Sequence, residues 1–88
     1  MTDTLYLVWF DPAVEPPDNL KLGGDAHALA DNFWMVRSPD ARSRVYHDIK
    51  WQLPDKAALL VAPLDDSPDG WPKFKGLQAG ALAWLREG

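Results

Sequence analysis

The stretch that decides the fold is residues 5–12, Leu-Tyr-Leu-Val-Trp-Phe-Asp-Pro. Six apolar residues that end at an Asp-Pro pair predict a β-strand over 5–10, because Asp and Pro both favour turns. Strand side chains alternate between the two faces of a sheet, so residues 5, 7 and 9 lie on one face and residues 6, 8 and 10 on the other. Both faces of this strand are apolar, and both therefore need a cover.

The composition is that of one small domain, spanning residues 1–88. A domain of this size buries only about 60% of the surface that its unfolded chain exposes, so its stability is thin without help. The chain has no cysteine and only two histidines, which excludes disulfides, thiolate metal sites and a histidine-built zinc site. Its five tryptophans favour an oligomer, because Trp is enriched in interface cores.

Charge and hydropathy argue against several classes of partner. The formal net charge of -4 opposes a general affinity for the polyanionic backbone of nucleic acids. The longest apolar stretch, residues 57–64, is well short of the ~20 residues that span a bilayer, so we expect no membrane helix. The first residues carry an acid where a secretory signal carries Lys or Arg, which together with the lack of cysteine predicts a cytoplasmic protein.

The rest of the chain divides into a loop, a strand pair, a helix, a strand and a second helix. Residues 11–25 are rich in Pro, Gly and acids and predict a loop, and residues 26–37 predict a hairpin or a bulged long strand. Ser38-Pro39-Asp40 predicts the start of a helix over 39–52, with Ser as its N-cap. Residues 57–64 are apolar on both faces and predict an inner strand, and residues 77–86 predict the closing helix.

This order predicts an α+β fold in which a small sheet carries both helices on one face and residues 33–64 form a crossover unit. The other face would then leave large apolar side chains in water, at a cost of roughly 1.5–3 kcal/mol each. Exposed patches of this kind usually mark interaction sites, so we expect a homodimer with sheet packed on sheet. The predicted interface residues are Leu5, Leu7, Trp9, Phe33 and Trp34.

A second candidate surface lies on and beyond the first helix. One tryptophan lies off the apolar stripe of this helix and another lies in a Gly-Trp-Pro turn, so both are expected to be exposed. Basic residues give the helix a positive bias, although pairing at i,i+4 is also what an ordinary solvated helix face shows. This candidate partner surface comprises Trp51, Trp71, Arg44, His47 and Lys50.

The chain resembles small ferredoxin-like proteins of the Cas2 type, and especially their uncharacterised bacterial relatives. The apolar strand that ends in an acid, Phe-Trp-Met-Val-Arg at 33–37, Ala-Leu-Leu-Val-Ala-Pro-Leu at 58–64 and the closing Trp-Leu helix carry the resemblance. It implies a split βαβ sheet, here with the first helix reduced or missing and an acidic loop in its place, and a homodimer. It also implies that Asp11 is the catalytic metal ligand of a nuclease; the alternative is that Asp11 starts a turn.

Three functions follow from these observations. The leading hypothesis is a small dimeric protein that acts by association, with no cofactor and no catalysis assigned, because the chain has no Gly-rich phosphate loop and no nucleophile elbow. The second is a Cas2-like nuclease that uses Asp11 and Mg²⁺. The third is the binding of a small or regulatory ligand in a cleft beside the loop at 11–25.

Overall fold

The computed structural model describes residues 3–77 and 79–87, which form a four-stranded antiparallel sheet and two helices. The strands are β1 (Thr4–Phe10), β2 (Asp25–Ala30), β3 (Phe33–Ser38) and β4 (Leu59–Leu64), and the helices are α1 (Arg42–Lys50) and α2 (Ala81–Glu87). The strand order is β2-β3-β1-β4. The predicted α+β class is confirmed. Neither helix is long and apolar enough to cross a membrane within the described residues.

Strand β1 lies inside the sheet and pairs with both β3 and β4, so that Val8 faces Trp34 on one side and Val61 on the other. Because β3 and β4 are each antiparallel to β1, they run parallel to each other with β1 between them. Helix α1 connects them along the chain. The crossover predicted for residues 33–64 is therefore present. Its two strands, β3 and β4, are not adjacent, because β1 lies between them.

Strands β2 and β3 form a hairpin, and β2 also carries a bulge between Ala28 and Ala30. The turn depends on Asn32, whose φ of 56° lies in the left-handed region that Asn tolerates better than most residues. The Asn32 amide donates to the carbonyl oxygens of Asp11 at 2.9 Å and Val14 at 2.7 Å. The hairpin turn thereby holds the start of the loop between β1 and β2.

Strand β4 lies at the edge of the sheet, and the prediction of an inner strand is wrong. Apolar side chains on both faces indicate that both faces of the strand are covered. They do not indicate whether the strand pairs with another strand along both of its edges. Pro63 was the available signal, because proline lacks the N–H that a central strand must donate and is confined to edges, strand starts and bulges. The register places Pro63 opposite Tyr6 of β1, which is the one strand that β4 pairs with among residues 3–77 and 79–87.

The two helices lie on opposite faces of the sheet, so the prediction that both lie on one face is wrong. On the first face α1 buries Val45 and Ile49 against side chains that include Tyr6 and Phe10 of β1. On the second face α2 packs with Leu5 and Met35 through the buried residues Ala81 and Leu85. The sequence pattern identified the apolar side of each helix, but not the face of the sheet on which that side packs.

Both helices are shorter than predicted. Helix α1 begins after Ala41, which provides no side-chain cap, and the predicted N-cap Ser38 is instead the buried last residue of β3. The Ser38 hydroxyl donates to the Gly23 carbonyl at 2.9 Å and accepts from the Asp40 N–H at 3.1 Å. Helix α2 begins after Gly80, whose φ of 88° is not helical; Gln78 in the predicted range lies outside the described residues.

Leu85 and Leu82 of α2 provide a matched test of this second covered face. Leu85 is 1% exposed and packs with Leu5 and Met35 on the second face, whereas Leu82 is 44% exposed. We expect Leu85→Ala to lower the free energy of unfolding by about 2–5 kcal/mol, because it leaves a cavity in a packed core. Leu82→Ala should change it by no more than about 0.5 kcal/mol. Urea unfolding followed by circular dichroism measures both, and equal effects would contradict the placement of α2.

Candidate functional site

Asp11 lies at the end of β1 and shapes the turn that follows. Its Oδ1 accepts the N–H of Ala13 at 2.9 Å, and its own N–H donates to the Ala58 carbonyl at 2.9 Å. This is the side-chain hydrogen bond for which Asp is favoured in turns. Within residues 3–77 and 79–87, no three His, Cys, Asp or Glu side chains are grouped so that they could hold a metal ion. The metal role of Asp11 stays a prediction.

The five predicted interface residues do not share one surface. Leu5 is fully buried beneath α2, while Leu7, Trp9 and Phe33 lie on the same face and are half-buried. Trp34 packs on the opposite face, against the cluster that α1 covers. The second face therefore has a cover of its own, formed by α2 and by residues of the 71–77 segment. The dimer was predicted from a sheet face that no helix covers, and the structure has no such fully uncovered face among the described residues.

The cover of the second face is incomplete. Helix α2 packs against β2, on the side of the sheet away from β4. Two cross-strand pairs of β1 and β4 have their side chains on this face. Trp9 lies opposite Leu60, and Leu7 lies opposite Ala62. Leu60 is 49% exposed and the other three are half-buried. We call these four residues the open strip.

The predicted partner surface is divided between two parts of the molecule. Trp51 is 81% exposed directly after α1, as predicted, and Arg44, His47 and Lys50 are exposed on the helix beside it. Arg44 pairs with Asp48 at 3.6 Å, the i,i+4 arrangement of a solvated helix face. Trp71 is not fully exposed, because it is half-buried against the second-face cluster.

A cleft lies between the 11–24 loop and the hairpin, on the first face of the sheet. It consists of two cavities of about 410 and 420 Å³, and both are lined by Pro16 and Trp34. We call them together the Trp34 cleft. The sequence predicted a ligand cleft beside residues 11–25, and the cavities lie at this position. The prediction that a ligand binds there stays open.

A partly buried ion pair joins β3 to the segment before α2, and the same Arg37 side chain also contacts α2 itself. The Arg37 guanidinium donates to both Asp66 carboxylate oxygens, at 2.8 and 2.9 Å, and to the carbonyl oxygens of Trp84 at 3.2 Å and Leu85 at 2.8 Å. Trp71 donates its indole N–H to Asp66 at 2.9 Å. The hydrogen bond from Arg37 lowers the pKa of Asp66 below its usual value, and the same bond raises the pKa of Arg37.

This ion pair was not predicted from the sequence. A signal was present, because strand alternation places Arg37 on the same face as the buried Met35. A guanidinium on a buried face requires a carboxylate and carbonyl partners. Which acid supplies the carboxylate depends on the path of the 65–80 segment, and local pattern does not specify that path.

Comparisons with protein-family models, curated proteins and solved structures found no match. Three features of the described residues bear on function: the open strip, the exposed Trp51 surface and the Trp34 cleft. The Arg37–Asp66 pair is a structural element, because its donors and acceptors are already satisfied by one another and by the carbonyls at the end of α2.

The ion pair predicts how stability depends on pH. The folded-state pKa of Asp66 lies below its unfolded value, so the pair stabilises the protein above the unfolded pKa of about 4 and the contribution is lost as the pH falls through the folded pKa. We expect Asp66→Asn to lower the free energy of unfolding by about 1–3 kcal/mol at pH 7, because Arg37 keeps its charge without its carboxylate. Between pH 7 and pH 3, the free energy of unfolding should fall by less in the variant than in the native protein, because the variant has no Asp66 carboxylate to protonate.

Urea unfolding at a series of pH values measures this difference. Asp69→Asn, which changes an exposed acid of the same loop, is the matched control and should follow the native curve. A constant difference between the native protein and the Asp66 variant across the whole pH range would contradict the role given to the pair.

Proposed function

We propose that this protein acts by association, as a homodimer that packs the open strips of two copies together, with no catalysis of its own. The observation that carries the proposal is the exposure of Leu60, which is 49% accessible opposite Trp9 in the part of the second face that α2 leaves uncovered. Large apolar side chains left in water forfeit roughly 1.5–3 kcal/mol each, and a second copy would recover this free energy.

A second copy of the chain is a suitable partner for the open strip. A two-fold axis through Leu60 and Trp9 would bring identical apolar patches together, as isologous interfaces do. A standard interface buries about 800 Å² on each partner, so the strip would supply the apolar centre and its surroundings the polar rim. Aromatic residues such as Trp9 are enriched at interface centres.

Packing face to face is favoured over pairing edge to edge. The outer edge of β4 contains Pro63, which lacks an N–H to donate to another strand. Proline on an edge strand is one of the features by which proteins prevent edges from pairing with other chains. The proposed contact therefore uses the side chains of the open strip, and the free edge of β4 stays solvated.

The strand order supports the finer assignment of the fold to the ferredoxin-like type. In the order β2-β3-β1-β4, the crossover through α1 has β1 inserted between its two strands, as in a split βαβ unit. The first helix of that fold would stand between β1 and β2, where this chain has the loop at 11–24. A Cas2-like relationship would account for both the order and the dimer, and we retain it as part of the proposal.

The dimer predicts a difference between two exposed positions on opposite sides of the molecule. We expect the native protein to sediment as a dimer at micromolar concentration and Leu60→Ser to weaken dimerisation by at least tenfold, because it places a hydroxyl in the apolar centre. Trp51→Ser, on the first-face side, is the control and should leave the dimer intact. Analytical ultracentrifugation measures both dissociation constants.

A monomeric native protein at these concentrations would eliminate the dimer. If Trp51→Ser weakens dimerisation and Leu60→Ser does not, the contact lies instead on the surface formed by Trp51, Arg44, His47 and Lys50. Circular dichroism of each variant checks that it is still folded. Both side chains are exposed in the single chain, so neither substitution should unfold it.

A Cas2-like, Mg²⁺-dependent nuclease that uses Asp11 is the second candidate. Asp11 is half-exposed at the end of an inner strand, and its Oδ1 is engaged with Ala13 while its Oδ2 accepts no hydrogen bond from residues 3–77 or 79–87. A carboxylate oxygen suits Mg²⁺, and a dimer could bring two such groups to one ion. The net charge of -4 and the acids that follow Asp11 oppose the binding of nucleic acid.

Under the association proposal we expect no Mg²⁺-dependent cleavage of labelled RNA or DNA above that of Asp11→Asn. This substitution retains an oxygen that can accept the Ala13 N–H, so the turn should survive. Asp18→Asn, an exposed acid in the same loop, is the matched control. Cleavage that requires Mg²⁺, persists in the Asp18 variant and is lost in the Asp11 variant would replace the association proposal with the nuclease.

A further inference from the structure

The end of α1 carries the most exposed large apolar side chain among residues 3–77 and 79–87. Trp51 is 81% exposed, well above the exposure of Leu60 and Leu82. Tryptophan is enriched among the few residues that supply most of the binding energy of protein interfaces. Because α1 lies on the first face, Trp51 is on the other side of the molecule from the open strip, and the proposed dimer does not cover it.

Trp51 continues the geometry of α1 and lies in line with residues of its solvated face. Its φ of -66° and ψ of -17° are helical, and its N–H donates to the His47 carbonyl at 3.1 Å. Residues four and seven positions earlier, His47 and Arg44, therefore share its side of the helix. Both are exposed, whereas Val45 and Ile49 are buried against the sheet. One solvated stripe thus ends at the tryptophan.

Hydrogen bonds to the loop before β2 hold the chain next to Trp51 in place. The Gln52 Oε1 accepts the Lys21 N–H at 2.8 Å, and its Nε2 donates to the carbonyl oxygens of Lys21 at 2.7 Å and Asp48 at 2.9 Å. The backbone of Lys21, whose side chain is exposed, is thereby held at the end of α1. A surface that is ordered before a partner arrives loses less conformational entropy on binding.

The charge of α1 is opposite in sign to that of the whole chain. The chain has 13 acids and 9 Lys or Arg residues, but α1 holds one acid, Asp48, and three cations, Arg42, Arg44 and Lys50. All four side chains are exposed. Salt screens exposed charges beyond about 8 Å at physiological ionic strength, so a partner on α1 experiences mainly the charges of the helix itself. An acidic partner is therefore attracted to this helix despite the net charge of the chain.

The helix macrodipole explains only part of this pattern. Cations in the last turn stabilise the negative end of a helix, which accounts for His47 and Lys50. The dipole gives no reason for a tryptophan that is left in water at the same end. Tryptophan and arginine together are typical of the binding hot spots of protein interfaces. We call Trp51, Arg44, His47 and Lys50 the Trp51 surface.

The length of the Trp51 surface limits the segment that would fit it. Arg44 precedes Trp51 by seven residues, which is about 10 Å along the helix axis. An extended peptide covers this distance in about three residues. Asp48 lies between the two positions and pairs with Arg44 at 3.6 Å. A partner that places an acid at Arg44 and an aromatic ring at Trp51 therefore needs a neutral residue opposite Asp48.

We propose that the Trp51 surface docks an acidic segment of another protein, in which one or two acids precede or follow an aromatic residue by about three positions. The aromatic ring packs on the Trp51 indole, and the carboxylates pair with Arg44 and Lys50. A peptide is favoured over a nucleic acid, because a continuous phosphate backbone would meet the Asp48 carboxylate, whereas a peptide can present a neutral residue there. The inference goes beyond the proposed dimer and does not depend on it.

The test uses short peptides that each differ from the acidic probe in one property. The acidic probe is acetyl-Glu-Glu-Gly-Phe-Gly-amide. One control peptide has Gln in place of both Glu residues, and the other has Ala in place of Phe. Each is titrated into protein labelled with ¹⁵N, and the five indole N–H signals are followed by NMR. Trp51→Phe identifies the Trp51 signal by its loss.

We expect the acidic probe to shift the Trp51 signal and to bind more tightly than either control peptide, by about fivefold or more at low salt. Arg44→Gln/Lys50→Gln should remove the preference for the acidic probe over the Gln peptide. Lys73→Gln/Lys75→Gln, which removes the same charge from exposed positions of the 71–77 segment, is the matched control and should preserve it. Leu60→Ser, which tests the dimer, should leave the binding of the acidic probe unchanged.

The inference is overturned if the acidic probe does not bind at millimolar concentration, if it binds no more tightly than the Gln peptide, or if the Trp51 signal does not shift. Equal losses in the two double variants would also overturn it, because net charge and not the Trp51 surface would then determine binding. A single-stranded oligothymidine that binds more tightly than the acidic probe, and shifts the Trp51 signal, would replace the protein partner with a nucleic acid.

Discussion

The structure depends on one constraint: β1 is apolar on both faces and lies between two other strands, so the fold must cover both sides of it. The first face is closed by α1 and by leucines of the 11–24 loop, which meet Tyr6, Val8 and Phe10. The second is closed by α2 and the segment before it, which meet Leu5. A chain of 88 residues has few elements for this purpose, and it therefore uses one helix on each side.

The cover of the second face is the weaker of the two, and polar contacts hold it in place. Helix α2 has seven residues, too few to be stable without tertiary contacts. Arg37 supplies such contacts by donating to the carbonyls of Trp84 and Leu85 while its guanidinium also binds Asp66. The Arg37 side chain lies over the Trp84 ring, 4.7 Å from its centroid. One buried cation thereby fixes both the helix and the segment that leads to it.

The features that point to function are the places where this cover is incomplete. On the second face, α2 lies over β2 and leaves Leu60 and its neighbours on β1 and β4 accessible, which is the basis for the proposed dimer. On the first face, the loop at 11–24 stands where a regular element could pack and leaves open space beside Trp34. The open strip and the Trp34 cleft are therefore two consequences of covering a sheet with few residues.

The sequence by itself determined the local elements and the faces of each strand. Alternation in residues 5–10 predicted the first strand, the pattern of residues 26–37 predicted the hairpin, and the capping and apolar pattern of residues 39–52 predicted α1. These patterns depend only on neighbours along the chain. The loop at 11–25 was predicted for the same reason, and two cavities lie beside it.

Only the tertiary structure decided which face each helix covers, which strand lies at the edge and which acid meets Arg37. These outcomes depend on the path of the connecting segments, and residues far apart in the chain, such as Arg37 and Asp66, carry no local signal for one another. The exact start of each helix was also decided in three dimensions: Ser38 was drawn into β3 by its bond to Gly23, and Gly80 delayed α2 through its positive φ. Local chemistry sets what each segment can form, and packing selects where it lies.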